Sequence, residues 1–321
     1  MILVISILSS LNCSIKSISQ NSGPSIPIYK RTVVRFAGLG EGKKLMGTPD
    51  DWVKSLSPFD RKLRMKKNED VSQEEFLSFV ANQVVEWKKD EIDSFVQSID
   101  DINKKLDLLG LKLDLPKDVL LIKTTGNEEG GASYTRQNAI IVPEGYTSPY
   151  PIMGILHELF HVMTRNNPEV RESLYSIIGY QPCNDVKLPD SILPRKITNP
   201  DAFHNDFFIE VSLNDVPTKV IPIIYSETDQ YTGGELFNYL NFKLMVVEAV
   251  NGAYQPLIEN GLPVLFDVTK DSGYMKKIGR NTDYIIHPEE IMACNFSYMA
   301  MQLTDIPNPE ILDSMKKVLQ K

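Results

Sequence analysis

Hydrophobic positions recur with two different periods along this chain, and the change from one to the other places its elements. In 72–109, Phe76, Phe79, Val80, Val84 and Trp87, then Ile92, Phe95, Ile99, Ile102, Leu106 and Leu109, fall at helical spacing. Ser72 with Glu75 forms a capping box at the start, Gly110 follows the end, and a break is expected near Asp90. The run 119–124 is apolar and rich in β-branched residues, as in a buried strand, and Thr125-Gly126-Asn127 closes it. After the Gly130-Gly131 turn, 133–142 reads as a second strand. Pro151 suits the first turn of a helix, and 152–163 is apolar on nearly every face, which predicts a helix in the middle of the protein. Asn166-Asn167-Pro168 stops it.

Beyond that point 170–180 reads as a helix and 182–200 as an irregular connection. Strands are expected at 207–211 and 220–226 with a turn at Asn214-Asp215, while 236–247 is apolar and fits either helix or strand. A strong helix starts at Pro288 and runs to about 303, and a short one occupies 309–319. The pattern predicts an α+β chain in three parts: a leader over 1–25, a mostly helical region over 26–115, and a region over 116–321 with a strand-rich insertion at about 185–270.

Composition adds a packed, soluble chain: 42% hydrophobic and 24% charged in 321 residues. The net charge of −8, with basic residues scattered among acidic neighbours, argues against a nucleic-acid partner, which would need a basic face. No later apolar run reaches the ~20 residues that span a bilayer. The first twelve residues are apolar, end at Cys13, and precede a Ser-rich stretch. They resemble a secretory signal and, in sharper form, a lipoprotein signal whose Cys13 carries lipid, so the chain is expected to be exported to the periplasm, outer surface or medium. No Lys or Arg precedes the run, and a buried first strand is the plainer alternative. Cys183 and Cys294 are then left, as two buried thiols or, alternatively, a disulfide.

Candidate chemistry centres on His157-Glu158-Leu-Phe-His161, an HExxH that uses two of only four histidines. On a helix, positions i and i+4 share a face, so both imidazoles reach one metal ion while Glu158 engages its water. Two imidazoles and a carboxylate on a buried helix need partners, and a shared ion provides them. A third ligand must lie downstream. Arg165, Asn167 and Pro168 stand where a nearby third histidine would be, so the short-spaced metzincin pattern is absent.

The segment Glu290-Ile-Met-Ala293-Cys294 resembles the Glu-x-x-Ala-Asp pattern of the gluzincin metallopeptidases up to its last position. The resemblance implies a zincin-like, two-lobed fold with a mixed sheet, a buried HExxH helix and a downstream ligand helix. It implies one zinc ion per chain, held by His157, His161 and Glu290, with Glu158 as general base activating a zinc-bound water for peptide-bond hydrolysis of a protein or peptide substrate. Glu290 is preferred to Glu289 because it shares a face with the small residues Ala293, Cys294 and Ser297, which let two helices approach closely. Glu289 lines up with Met292 and Phe296. The 134–142 stretch is similar to the gluzincin edge strand that pairs with extended substrate, Asn138-Ala139 being the matching part. Tyr284, ahead of His204 and His287, is the expected donor to the developing oxyanion. Two departures stand out: Glu290 follows His161 by 129 residues, and Cys294 replaces the acid that would orient a zinc-binding histidine, leaving Asn295 or a backbone carbonyl for that bond. The alternative function is a surface-attached, zinc-containing binding protein with a degenerate site.

Overall fold

The computed structural model describes residues 22–146, 152–213, 215–270 and 272–321. The apolar leader through Cys13, Pro151 and Asn214 of the expected turn lie outside them. Among the described residues the fold is α+β, with a five-stranded mixed sheet, a six-stranded antiparallel sheet and a small two-stranded ribbon.

The mixed sheet is built from β1 (Ser22–Ile28), β2 (Thr32–Ala37), β3 (Asp118–Thr124), β4 (Tyr134–Arg136) and β5 (Ala139–Pro143), in the order β1-β2-β3-β5-β4. The β2–β3 and β3–β5 pairs are parallel, and the two edges are antiparallel. Two differences from the sequence reading follow. The expected strand at 133–142 is a hairpin, because Gln137 takes φ 53° and turns the chain back on itself. Residues 22–37, two of whose strands begin the sheet, carry no helix, and only after them does 26–115 turn helical.

Five helices lie between β2 and β3: α1 (Leu39–Met46), α2 (Asp51–Ser55), α3 (Pro58–Met65), α4 (Gln73–Asn82) and α5 (Lys89–Leu109). The expected break in 72–109 falls at 83–88. The capping box is formed, with Glu75 N bonded to Ser72 Oγ and Ser72 N to Glu75 Oε2. Gly110 ends α5 in the left-handed region at φ 60°, where a side chain would be strained.

Why β3 reads as an unbroken apolar run is now clear: both faces of the sheet are covered. Val119, Leu121, Ile140 and Val142 join the larger core with Phe95, Ile99 and Ile102 of α5. Leu120, Ile122, Ala139 and Ile141 face the opposite way, against Met46, Trp52, Phe76 and Val80.

The motif helix α6 (Ile152–Asn166) and then α7 (Pro168–Ser176) follow the mixed sheet. The antiparallel sheet comprises β6 (Tyr180–Pro182), β7 (Phe207–Leu213), β8 (Val216–Tyr225), β9 (Asn241–Val250), β10 (Ala253–Pro256) and β13 (Leu265–Phe266), which pairs with β9, while β11 (Ile258–Glu259) and β12 (Leu262–Pro263) form the ribbon. The segment that fitted either helix or strand is thus a 3-10 turn at Leu236–Tyr239 leading into β9. One face of this sheet joins the larger core through Ile209, Val211, Val220 and Leu244. After α8 (Gly273–Ile278) come α9 (Pro288–Ala300), which carries Glu289 and Glu290, and α10 (Pro309–Leu319).

Helix α6 packs against α5, α7, α9 and the β4–β5 hairpin. Leu156, Leu159, Phe160, Val162 and Met163 are at most 1% exposed, and each such side chain contributes ~1.5–3 kcal/mol. That burial offsets the cost of carrying Glu158 and His161 in the same interior. No helix among the described residues is long and apolar enough to cross a membrane.

Candidate metal centre

The small residues on α9 do what their spacing predicts. Ala293 is fully buried, and Ser297 Oγ donates to the Met153 carbonyl of α6 at 3.0 Å, so the two helices lie close together. His157 and His161, one turn apart, then face Glu290 across the gap. His157 Nε2 is 3.0 Å and His161 Nε2 3.6 Å from the same Glu290 Oε2. Atoms bonded at ~2.05 Å to one tetrahedral centre stand about 3.3 Å apart, so these three side chains have the separations and chemistry to hold zinc.

Two buried polar atoms, Glu158 Oε2 beside this convergence and His161 Nε2 within it, have no hydrogen-bond partner among the described residues. Such atoms are rare in a folded interior because each costs about 1–3 kcal/mol. Burial, reinforced by Asp201 and opposed by the two imidazoles, pushes Glu158 up to about 8. Burial pulls His157 down, but the bonds to Cys294 and Glu290 outweigh it and push the imidazole up to about 10. In Glu290 burial is outweighed by His161 and His157, which hold its carboxyl well below the usual carboxylate range.

Glu289, the neighbour rejected as ligand, has a different place. Its Oε1 accepts from His161 Nδ1 at 2.8 Å and Thr164 Oγ1 at 2.5 Å, while Tyr175 OH donates to Oε2. Those donors overcome burial and keep Glu289 below its ordinary range. With its proton on Nδ1, His161 presents the Nε2 lone pair toward Glu290. The orienting carboxylate thus comes from position 289, and it serves His161. Asn295, expected as a substitute, is instead bonded to Asn281 and to the Ile291 carbonyl. Among the described residues His157 Nδ1 meets Cys294 Sγ at 3.8 Å, and Cys183 and Cys294 are free thiols.

An open cleft of about 380 Å³ runs over the convergence, lined in part by His157, Glu158, Glu290, Met153 and Tyr284. Tyr284 stacks on His157 with ring centroids 6.4 Å apart. The other two donor candidates face elsewhere. His204 pairs with Asp185 at 2.9 Å, and His287 caps α9 by accepting from Glu289 N. Both line a separate cavity of about 290 Å³ behind His161.

The irregular stretch after β6 supplies two residues that the sequence reading did not single out. Asn199 Nδ2 donates to Glu290 Oε1 at 2.6 Å. Asp201 lies beside Glu158 and His161, the three offering ligand atoms within 4.8 Å of one another. It also accepts from Thr135 N at 2.8 Å. That bond covers the β4 edge at Thr135, so the expected pairing of extended substrate along 134–142 is closed at this residue, and Asn138 sits in the turn between β4 and β5.

Beneath the same stretch is a buried ion network. Arg64 bonds both oxygens of Glu129 at 2.6 and 2.7 Å, Asp60 Oδ1 at 2.7 Å, and the Thr198 carbonyl at 2.8 Å. Asp60 in turn accepts from Thr198 N and Oγ1. The network ties α3 to the residue before Asn199. Against family models, curated proteins and solved structures, the chain finds no match.

Proposed function

We propose that this chain is a gluzincin-type zinc metallopeptidase with a zincin-like fold, acting on proteins or peptides in an exported or cell-surface setting. The observation that carries the reading is the convergence of His157 Nε2, His161 Nε2 and Glu290 Oε2 next to the unpartnered Glu158 Oε2, at the head of an open cleft. His157, His161 and Glu290 would hold one zinc ion. Bound zinc supplies Lewis acidity to a carbonyl and makes water a nucleophile near neutral pH.

The chain's own residues have the remaining tasks. Glu158 would take the proton of an attacking water through Oε2 and return it to the leaving amine. Glu289 and its bonds to Thr164 and Tyr175 fix the orientation of His161. Tyr284, stacked over His157 at the cleft wall, is the residue placed to donate its phenolic proton to a developing oxyanion. The apolar leader ending at Cys13 supports export, with Cys13 as the site of a lipid anchor.

The test is zinc content and peptidase activity in the chain and in His161→Ala, Glu290→Ala, Glu289→Ala and Glu158→Gln. One zinc per chain is expected, lost in the first two variants and weakened ~10–100-fold in the third. Glu158→Gln is expected to keep zinc and lose turnover of a peptide library. A chain that stays metal-free after zinc loading would refute the reading.

One observation favours a second reading, a zinc-containing surface binding protein with a degenerate site. His157 Nδ1 has a sulfur at 3.8 Å where a carboxylate would bond more strongly. Zinc binding with no turnover, in wild type and Glu158→Gln alike, would decide for it.

A further inference from the structure

Glu290 divides its two carboxylate oxygens between different partners. Oε2 faces both imidazoles, while Oε1 accepts from Asn199 Nδ2 at 2.6 Å. The Asn199 amide can be oriented in only one way, because its Oδ1 accepts from the backbone N–H of Asp201 at 3.0 Å. The carbonyl end is thereby engaged and the NH₂ end points at Glu290.

The segment that carries Asn199 is anchored on both sides. Before it, Thr198 is held by Asp60 through N and Oγ1 and by Arg64 through its carbonyl. After it, Pro200 limits the backbone, Asp201 takes the amide of Thr135, and Ala202 N returns to the Asn199 carbonyl at 3.3 Å. Glu290 itself is 1% exposed, so water does not supply the bond that Asn199 makes.

We propose that Asn199 is a positioning residue for the metal centre: it occupies Glu290 Oε1 and so makes Glu290 a one-oxygen ligand. This rests on the zinc reading above and extends it, assigning a role to the stretch that links the antiparallel sheet to the centre. A carboxylate with both oxygens free can close on a metal through both; one held at Oε1 presents Oε2 alone and leaves the other coordination positions to substrate and water.

Asn199→Asp separates this role from folding, since it keeps the acceptor for Asp201 N and removes the donor to Glu290. Asn199→Ala removes both. Zinc affinity is measured by competition with a chromophoric chelator, and coordination number by the visible absorption of the cobalt(II)-loaded protein. The expected result is zinc binding weakened ~10–100-fold in both variants. In Asn199→Ala the cobalt bands should also lose intensity, as the second oxygen of Glu290 enters and four-coordination becomes five. Affinity within threefold of wild type in both variants, with unchanged cobalt bands, overturns the proposal while leaving the zinc reading standing. A wild-type chain that binds neither zinc nor cobalt overturns both.

Discussion

Replacing Arg64 by Met would leave two carboxylates in the interior with no cation between them. The Arg64 side chain is 1% exposed and those of Asp60 and Glu129 are 0% and 7%. Breaking a buried pair by removing one partner costs ~3–5 kcal/mol, because the remaining charge is left uncompensated. An unfolding entropy of ~2.1 cal/mol/K per residue gives about 0.7 kcal/mol/K for a chain of this size, so the melting temperature should fall by about 4–7 °C. The deficit should also depend on pH. Burial, against the pull of Arg64, already pushes Glu129 up to about 7, and removing the guanidinium raises it further. A carboxyl whose folded pKa lies above its unfolded value of 4.5 destabilises the fold above the folded pKa and ceases to do so below 4.5. Melts followed by circular dichroism should therefore show a larger deficit at pH 8 than at pH 5, partly recovered in Arg64→Met/Glu129→Gln. A melting temperature within 2 °C of wild type at pH 8 would show that the network is not holding α3 to Thr198, and the reasoning fails.

Three further outcomes are expected. Cys294→Asp places a carboxylate beside His157 Nδ1 and should tighten zinc binding by up to ~10-fold in chelator competition; weaker binding would mean that the thiol is the better partner in this setting. Tyr284→Phe should lower kcat for a peptide substrate by ~10–100-fold with zinc content unchanged, and an equal kcat would remove Tyr284 from the chemistry. Burial, aided by Asp206 and Asp185, pushes the Cys183 thiol up to about 11, so at pH 8 only ~0.1% is thiolate. Peptide-level mass spectrometry should find Cys183 almost unlabelled by iodoacetamide under conditions that alkylate a free thiol, and rapid labelling would contradict that environment.

Sequence pattern located the elements whose partners are close in the chain. The Ser72–Glu75 box, β3, α6 and α10 all carry local signals, and α10 occupies the expected 309–319. HExxH was legible for the same reason, since its geometry is one helical turn. What escaped depends on distant contacts. β2 alternates buried and half-buried positions, but its residue types do not follow that pattern: Thr32 is buried and Val33 half-buried, so the strand is set by its pairing with β3 rather than by a polarity signal. The 133–142 hairpin was hidden because its two-residue turn, Gln137-Asn138, contains neither Gly nor Pro to mark it. Helix-face geometry favoured Glu290 over Glu289 for the paired imidazoles, but only the cross-helix approach shows that Glu289 bonds His161 Nδ1. Asn199 and Asp201 lie in Thr-Asn-Pro-Asp, an ordinary turn composition, and nothing local shows that it folds onto a residue 91 positions later.

The parallel pairing of β2 with β3 sets the order in which this chain can become compact. Val33 finds Asp118 only after 85 residues have followed it, and such long-range closure is slow relative to local helix formation. The larger core waits longer still, because Ile311, Leu312, Met315 and Leu319 of α10 belong to it and Leu319 accepts from Lys112 N. A chain emerging from the ribosome can therefore form the β1–β2 hairpin early, but it cannot close the larger core until α10, its last helix, has been made. On the export proposed above, that lateness would be an advantage: a core that waits for its C-terminal helix stays open while the chain is threaded.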